Sequence, residues 1–281
     1  MTIVVTGATG NVGRPLVCEL AAAGAQVRAV TRSPETAGFP DGVETVRSPV
    51  DALAGATAVF LNSRALGNGP GDLEKFVTLA RRRGVTKLVA LSAINADDDF
   101  SRQPSRFRGD RNKEVEQLAV DSGLDWVSLR PSVFASNFVG MWAAQILAGD
   151  VVGGPYAAAS AAPIVDADIS AVAAQALLTD EYVGQRIPLT GPQALTNSEL
   201  VQIIGRVLGR PLRYFEVSAD VVRERFISLG LGAEFADAYA AMLADSLDKP
   251  ALVTGEVEKI TGRPATTFAQ WVAEHRQLFT K

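Results

Sequence analysis

The sequence predicts an α/β fold: a doubly wound parallel sheet of the Rossmann type with a smaller, mostly helical C-terminal lobe. Short apolar runs alternate with amphipathic segments through the first half, and a glycine-rich turn joins the first run to the first helical segment. The last third of the chain is mostly helical in its spacing of apolar residues. Alternating strands and helices with short turns are typical of parallel sheets wound by right-handed crossovers. With 281 residues, of which 47% are hydrophobic, the chain can bury a full core.

The first half of the chain supplies most of the predicted sheet. Strands are predicted at 3–5, 26–31, 58–61, 87–91 and 126–129, with helices at 12–23, 72–83 and 113–122 between them. The runs are short and rich in β-branched residues, as expected for strands that are buried on both faces. Val12, Leu16 and Leu20 recur at helical spacing, and Gly24 is a natural helix end. Pro131 ends the fifth strand.

After Pro131 the alternation stops. A buried loop and helix are predicted over 131–149, followed by a helix at 169–178, a strand at 186–189, and helices at 197–208, 219–228 and 233–245. We therefore assign 1–132 and about 163–190 to the dinucleotide-binding domain. The smaller lobe comprises about 133–162 and 191–281, and it would cover the carboxyl ends of the strands, where ligands of such sheets bind.

Composition and charge narrow the possible partners. A net charge of −4 leaves no basic face for a phosphate backbone, so nucleic acid is not expected. The single cysteine, Cys18, cannot form an internal disulfide, and the N-terminus lacks the pattern of a signal peptide. We expect a cytoplasmic protein. Residues 131–149 carry too many polar groups for a membrane span. The three aspartates at 97–99 are interpreted as a solvated acidic loop, so no metal site is predicted there.

The glycine turn GATGNVG at residues 7–13 directly follows the first strand and opens the first helix. In this position Gly7 permits a tight turn, Gly10 lets a pyrophosphate approach the backbone, and Gly13 allows the helix to pack on the strand. The N-terminus of the helix then faces the anion. This arrangement predicts a dinucleotide site.

Arg32 and Ser33, at the end of the second strand, favour NADP(H), with NAD(H) as the alternative. An arginine suits a 2′-phosphate, and no carboxylate precedes Glu35 to bind ribose hydroxyls instead. A solvated surface arginine is the competing interpretation. The candidate cofactor-binding residues are Gly7, Thr9, Gly10, Asn11, Val12, Gly13, Arg32, Ser33 and Asn62.

These residues resemble the NmrA-like branch of the atypical short-chain dehydrogenases, which includes NADP-sensing regulators, quinone reductases and relatives of isoflavone reductase. The resemblance covers nearly the whole chain. Its markers are VVTGATGNVG at 4–13, SGLDW at 122–126, LRP at 129–131, Phe134, Asn137 with Phe138, Asp168 with Ile169, LTGP at 189–192, and Thr267, Phe268 and Trp271. It implies an NAD(P)-binding Rossmann fold and leaves the substrate open. The segment 46–51 departs from the family, whose members carry an aspartate near the adenine there, so we expect a more open adenine side.

The resemblance also implies a catalytic tyrosine, a lysine four residues later and a serine, and here the tyrosine is missing. Lys113 begins a helix, but Gly109 stands four residues before it. Counted back from the end of the helix, Asn112 fits the lysine position slightly better, so the register stays open. Ser92 follows the fourth strand. We take Lys113 and Ser92 as catalytic candidates, with a surface lysine and a turn-capping serine as the alternatives.

Loss of a general acid typically costs about 10²–10⁴-fold in rate, and it is felt most where an alkoxide must be protonated. Quinones, activated alkenes and iminium ions do not need a strong acid, so a small-molecule substrate of that kind is predicted. The candidate substrate residues are Phe134, Asn137, Phe138 and Trp142. Their spacing equally suits the core stripe of a helix. The alternative function is a non-catalytic NADP(H)-binding regulator that acts through a protein partner. The sequence also leaves open whether the chain forms a homodimer.

Overall fold

A seven-stranded parallel sheet forms the centre of the protein. The computed structural model of the chain describes residues 1–67, 69 and 71–280. The strands are β1 Thr2–Val5, β2 Gln26–Val30, β3 Glu44–Val46, β4 Ala58–Leu61, β5 Lys87–Leu91, β6 Asp125–Pro131, β7 Val151–Gly154, β8 Ser160–Ala161, β9 Gln185–Leu189, β10 Leu195–Thr196 and β11 Arg213–Glu216. Across the sheet their order is β3-β2-β1-β4-β5-β6-β9. The order reverses at β1, which pairs with both β2 and β4, so a crevice opens above their carboxyl ends.

Helices cover both faces of the sheet. The helices are α1 Gly13–Ala22, α2 Asp72–Arg82, α3 Asn112–Asp121, α4 Asn137–Ala148, α5 Asp166–Leu178, α6 Asn197–Leu208, α7 Ala219–Ser228, α8 Ala233–Asp245, α9 Glu256–Thr261 and α10 Phe268–Glu274. The core on one face combines sheet residues with α1, α5 and α9, and the core on the other face combines them with α2 and α3. Because both faces are covered, the central strands β1 and β4 are buried and almost entirely apolar, as the sequence predicts.

A third core lies outside the sheet, where α4, α6 and α10 pack together. The Phe138 ring lies 4.7 Å from the Trp142 ring and 5.3 Å from that of Phe268, measured between centroids. Beside this core, β7 pairs with β11 in parallel and β8 pairs with β10 antiparallel.

Residues 219–245, which comprise α7, α8 and their connection, form a unit that we call the cap hairpin. Its own small apolar cluster includes the buried Val222 and Phe226, with Phe235 and Tyr239 packed against them. The Phe226 ring lies 5.4 Å from Phe235 and 5.3 Å from Tyr239. This cluster is separate from the core around α4, α6 and α10. On its other side, α8 contacts residues 100–108.

A buried carboxylate holds α3 against the edge of the sheet. Glu116 accepts hydrogen bonds from Ser128 and Arg130 on β6, and from Arg186 on β9 at 2.7 Å. Burial alone would raise the pKa of Glu116, but these donors outweigh it and lower the pKa to about 2. The contacts fix α3, whose first residue, Asn112, borders the site described below.

The predicted fold class is confirmed. The sequence did not predict β3, β7, β8, β10 or β11. The strands β3, β8 and β10 have only two or three residues, and β7 (VVGG) and β11 (RYFE) lack the continuous apolar run that marks β1 and β4. The division into two domains stays a prediction. Within the described residues, no helix combines the length and the apolar character needed to cross a membrane.

Candidate functional site

One cavity of about 1870 Å³ runs along the carboxyl ends of the central strands. It begins at the glycine turn, passes the ends of β4, β5 and β6, and ends under the cap hairpin. Its volume is nearly twice the upper end of the roughly 300–1,000 Å³ typical of small-molecule pockets. The cavity therefore has room for a dinucleotide and a second ligand at the same time.

The glycine turn has the geometry that a pyrophosphate site requires. Gly7 has a φ of +68°, and its carbonyl accepts a hydrogen bond from the Gly10 N–H at 2.9 Å. A Cβ atom on Gly13 would lie 2.2 Å from the Gly7 carbonyl oxygen, so only glycine lets α1 begin this close to the turn. Val12, the N-cap of α1, lines the cavity. The backbone of this turn can thus hold the phosphates of a dinucleotide.

Most of the predicted cofactor-binding residues line the cavity. These are Gly7, Thr9, Gly10, Asn11, Val12, Arg32 and Asn62. Gly13 lies behind the turn, where its role is to let the helix approach the strand. Ser33 does not line the cavity, and its backbone N–H donates to Thr31 Oγ1 at 3.3 Å. The Asn62 side chain caps a turn by accepting from the Arg64 N–H at 3.1 Å.

A second arginine lines the cavity beside Arg32, and the sequence analysis missed it. Arg47 donates through Nη1 to the Arg32 carbonyl at 2.6 Å, and through Nη2 to a Glu35 carboxylate oxygen at 3.0 Å. A hydrogen bond from its own backbone N–H, together with Arg47, lowers the pKa of Glu35. The signal was present in the sequence: Arg47 lies in 46–51, the segment that departs from the family pattern at the adenine side.

A hydrogen-bond chain connects the glycine turn to two helices. Asn11 Nδ2 donates to Ser136 Oγ at 3.1 Å, and that hydroxyl donates to Asp166 Oδ1 at 2.9 Å. Asp166, the first residue of α5, is buried, and burial raises its pKa. Ser170, one turn later, donates to the Val12 carbonyl at 2.7 Å. These contacts hold the turn against α5 and against the residue before α4.

The structure separates the two catalytic candidates. Ser92 is buried, lines the cavity and donates to the Asn112 carbonyl at 3.1 Å. Asn112 also lines the cavity, and so does Gly109 at the position of the missing tyrosine. Lys113 does not line it, and its Nζ lies 3.6 Å from an Asp97 carboxylate oxygen at the surface. Neighbouring helical residues point about 100° apart, and in the structure it is Asn112 and not Lys113 that faces the site.

The substrate candidates divide in the same way. Phe134, Asn137 and Trp142 line the cavity, whereas Phe138 lies in the core between Trp142 and Phe268. Successive residues of α4 point in different directions, so Phe138 faces inward while Asn137 stays exposed.

Two tyrosines line the far end of the cavity, although both are distant from Gly109 in the sequence. The Tyr214 hydroxyl donates to the Pro155 carbonyl at 2.8 Å. Burial raises the pKa of Tyr214 and of Tyr239 well above that of a free phenol. Both phenols therefore stay neutral at physiological pH, where they can donate a hydrogen bond but do not ionise.

Comparison with known proteins agrees with this geometry. A family model described as NAD(P)H-binding matches residues 7–179, from the glycine turn to the end of α5. The chain belongs to this NAD(P)H-binding family. Membership confirms the predicted NAD(P)-binding class and a nicotinamide dinucleotide as the cofactor.

Relatives match the chain along its whole length. A (4-alkanoyl-5-oxo-2,5-dihydrofuran-3-yl)methyl phosphate reductase from Streptomyces griseus is 36% identical, and the match covers 99% of each chain. An NAD(P)H azoreductase from Xenophilus azovorans is 29% identical, again over 99% of each. The structure of an NADPH-dependent quinone oxidoreductase from Escherichia coli, complexed with NADPH, superposes with a TM-score of 0.82 at 22% identity, covering 98% of this chain and 100% of the other.

Proposed function

We propose that this chain is an NADPH-dependent reductase that acts on a small conjugated electrophile, such as a quinone, an activated alkene or an iminium ion. The observation that carries the proposal is the continuity of the cavity. The same space that is bordered by the glycine turn is bordered further on by Phe134, Asn137 and Trp142. A ligand held there would lie against the cofactor, between apolar walls and one amide.

The polar groups beside this pocket suit an electrophile that needs little acid catalysis. Bound NADPH supplies a hydride. The Asn112 amide donates one N–H to Ser105 and offers its second N–H to a ligand oxygen, while Ser92 donates its hydroxyl proton to the Asn112 carbonyl and so holds that residue at the cavity. Gly109 offers no side chain. The acceptor takes the hydride at an electrophilic carbon or oxygen. A quinone or an activated alkene then leaves a phenolate or an enolate, which takes a proton from water, whereas an iminium ion becomes a neutral amine and needs no proton. The Tyr214 hydroxyl already donates to the Pro155 carbonyl, and burial raises the pKa of both Tyr214 and Tyr239, so we assign neither as the missing proton donor.

The relatives support this substrate class. The Streptomyces griseus protein is named for an alkanoyl-substituted oxo-dihydrofuran, whose ring double bond is conjugated to carbonyl groups. The Xenophilus azovorans protein is named for azo compounds, and the Escherichia coli structure is that of a quinone oxidoreductase. Each name describes reduction of a conjugated electrophile.

We assign the preference for NADPH to two arginines, Arg32 and Arg47. Both line the cavity where the second strand ends, and a guanidinium pairs well with a phosphate. The backbone of the glycine turn would hold the pyrophosphate. The Asn62 side chain lies beside Gly7 of that turn.

The experiment is to follow NADPH consumption by the purified chain with 1,4-naphthoquinone, an N-substituted maleimide and cyclohexanone. We expect turnover of the quinone and the maleimide and none of the simple ketone. Cofactor binding is measured in parallel by calorimetry. Binding of NADPH without turnover of any conjugated acceptor would contradict the reductase and favour a regulator, and rapid reduction of cyclohexanone would contradict the assigned chemistry.

A further inference from the structure

The far end of the cavity is bordered by one face of α7. Val221 and Arg225 of α7 and Leu229, the residue that ends the helix, recur every four residues. They therefore lie in one row, and all three line the cavity. Val221 is 53% exposed and Leu229 is 61% exposed. Their apolar surface faces the open space of the cavity, and a ligand with an apolar body would cover that surface.

Arg225 carries a charge into these apolar surroundings. Within residues 214–242, all of which the structure describes, it is the one charged side chain that lines the cavity. Its neighbours there are apolar or aromatic: Val217, Val221, Val222, Phe226, Leu229, Leu231, Phe235, Tyr239 and Met242. It is half-buried and makes no ion pair in the described part of the chain.

The other arginine of α7 behaves differently. Arg223 donates to an Asp237 carboxylate oxygen of α8 at 2.7 Å and does not line the cavity. The cap hairpin therefore neutralises one of these two arginines with its own carboxylate. The other is left facing the cavity, where partial removal from water strengthens its attraction for an anion.

We propose that this far subsite, formed by Val221, Arg225 and Leu229, binds an anionic group that the substrate carries on an apolar body. The proposal rests on the proposed function, which places the electrophilic end of the substrate near Asn137 and Trp142. A carboxylate, sulfonate or phosphate satisfies the guanidinium, and the apolar body covers the row on α7. From Val221 to Leu229 the row is about 12 Å long at 1.5 Å per residue, which suits a bicyclic ring or a short acyl chain.

The test compares matched probes that differ in charge. Binding of naphthalene-2-sulfonate and of 2-naphthol to the NADP⁺-saturated full-length protein is measured by calorimetry. Turnover of 1,4-naphthoquinone-6-sulfonate, whose sulfonate lies on the ring away from the quinone carbonyls, and of 1,4-naphthoquinone is measured with NADPH. The variant Arg225→Met keeps the apolar stem and removes the charge. Arg225→Lys keeps the charge without the planar fork, and Arg223→Met is the matched control on the same helix.

We expect Arg225→Met to weaken sulfonate binding and raise the KM for the sulfonated quinone about tenfold, as loss of a charged hydrogen bond predicts. The two neutral probes should change less than about twofold by the same reasoning, because they make no ionic contact. Arg225→Lys should retain part of the preference, and Arg223→Met all of it. Equal effects on charged and neutral probes, or none on either, would overturn the subsite. Sulfonate-selective binding without turnover would keep the subsite and refute the reductase.

Discussion

Replacing Arg47 with alanine is expected to weaken binding of NADP⁺ about tenfold and to leave NAD⁺ binding unchanged. A hydrogen bond to a charged group contributes about 1.5–3 kcal/mol. The Arg47 side chain is 64% exposed, so solvent reduces this contribution to about 1.4 kcal/mol, which is a factor of ten. Arg32, which is also exposed, should contribute a similar amount. Because Arg47 donates to the Arg32 carbonyl, the two residues are coupled, so the loss in the double variant should differ from the roughly hundredfold loss expected of independent sites.

The assay is calorimetric titration of each variant with NADP⁺ and NAD⁺, which differ only in the 2′-phosphate. Arg83→Ala is the matched control, because Arg83 donates to the Val50 carbonyl of the same loop at 3.0 Å but does not line the cavity. Added salt should reduce the NADP⁺ preference of the unmodified protein. Equal weakening of both cofactors by Arg47→Ala would mean that Arg47 stacks on the adenine, and the phosphate assignment would be refuted.

Three further predictions concern single substitutions at Gly13, Glu116 and Asp168. Gly13→Ala places a methyl group 2.2 Å from the Gly7 carbonyl, so NADP⁺ binding should be lost, whereas Gly255→Ala, with nothing within 4 Å, should bind normally in the same titration. Glu116→Gln should lower the free energy of unfolding at pH 7: a pKa depressed from 4.5 to about 2 corresponds to about 3 kcal/mol, and partial solvent access of its arginine partners reduces this to about 2. A depressed carboxyl pKa stabilises the folded protein above pH 4.5, and this stabilisation is lost as the pH falls toward 2. The free energies of unfolding of the unmodified protein and of Glu116→Gln, measured in urea, should therefore approach each other in acid. A difference between them that does not change with pH would contradict the network. Asp168→Asn removes the fully buried carboxylate that pairs with Arg263 at 2.6 Å, and it should cost about 1–3 kcal/mol in urea unfolding without changing the Kd for NADP⁺.

The sheet could be predicted because its strands are buried on both faces. Residues 58–61 and 88–91 are continuous apolar runs, and each lies in a strand of the structure. By contrast, β3 has only three residues, of which two are polar, and β7 and β11 pair across about sixty residues of sequence. Short runs carry no period, and pairing at long range leaves no local signal.

The site could be predicted where chemistry depends on the backbone, and less well where it depends on the direction of a side chain. The glycine turn follows from spacing alone, and the structure shows Gly7, Gly10 and Gly13 in the required geometry. Whether Asn112 or Lys113 faces the cavity depends on a rotation of α3 that Glu116 helps to fix from a distance. Helical spacing placed Phe138 and Trp142 on one element, but it did not show that only Trp142 borders the cavity.

The separate apolar cluster of the cap hairpin has a consequence for how this protein can evolve. Substitutions around Phe226 and Phe235 alter the wall of the cavity, but the residues that hold the sheet together belong to other clusters. Divergence of substrate preference in this segment therefore need not weaken the nucleotide-binding scaffold, whereas changes at the glycine turn would affect every substrate alike. Related chains should accordingly vary more across 219–245 than across 3–13.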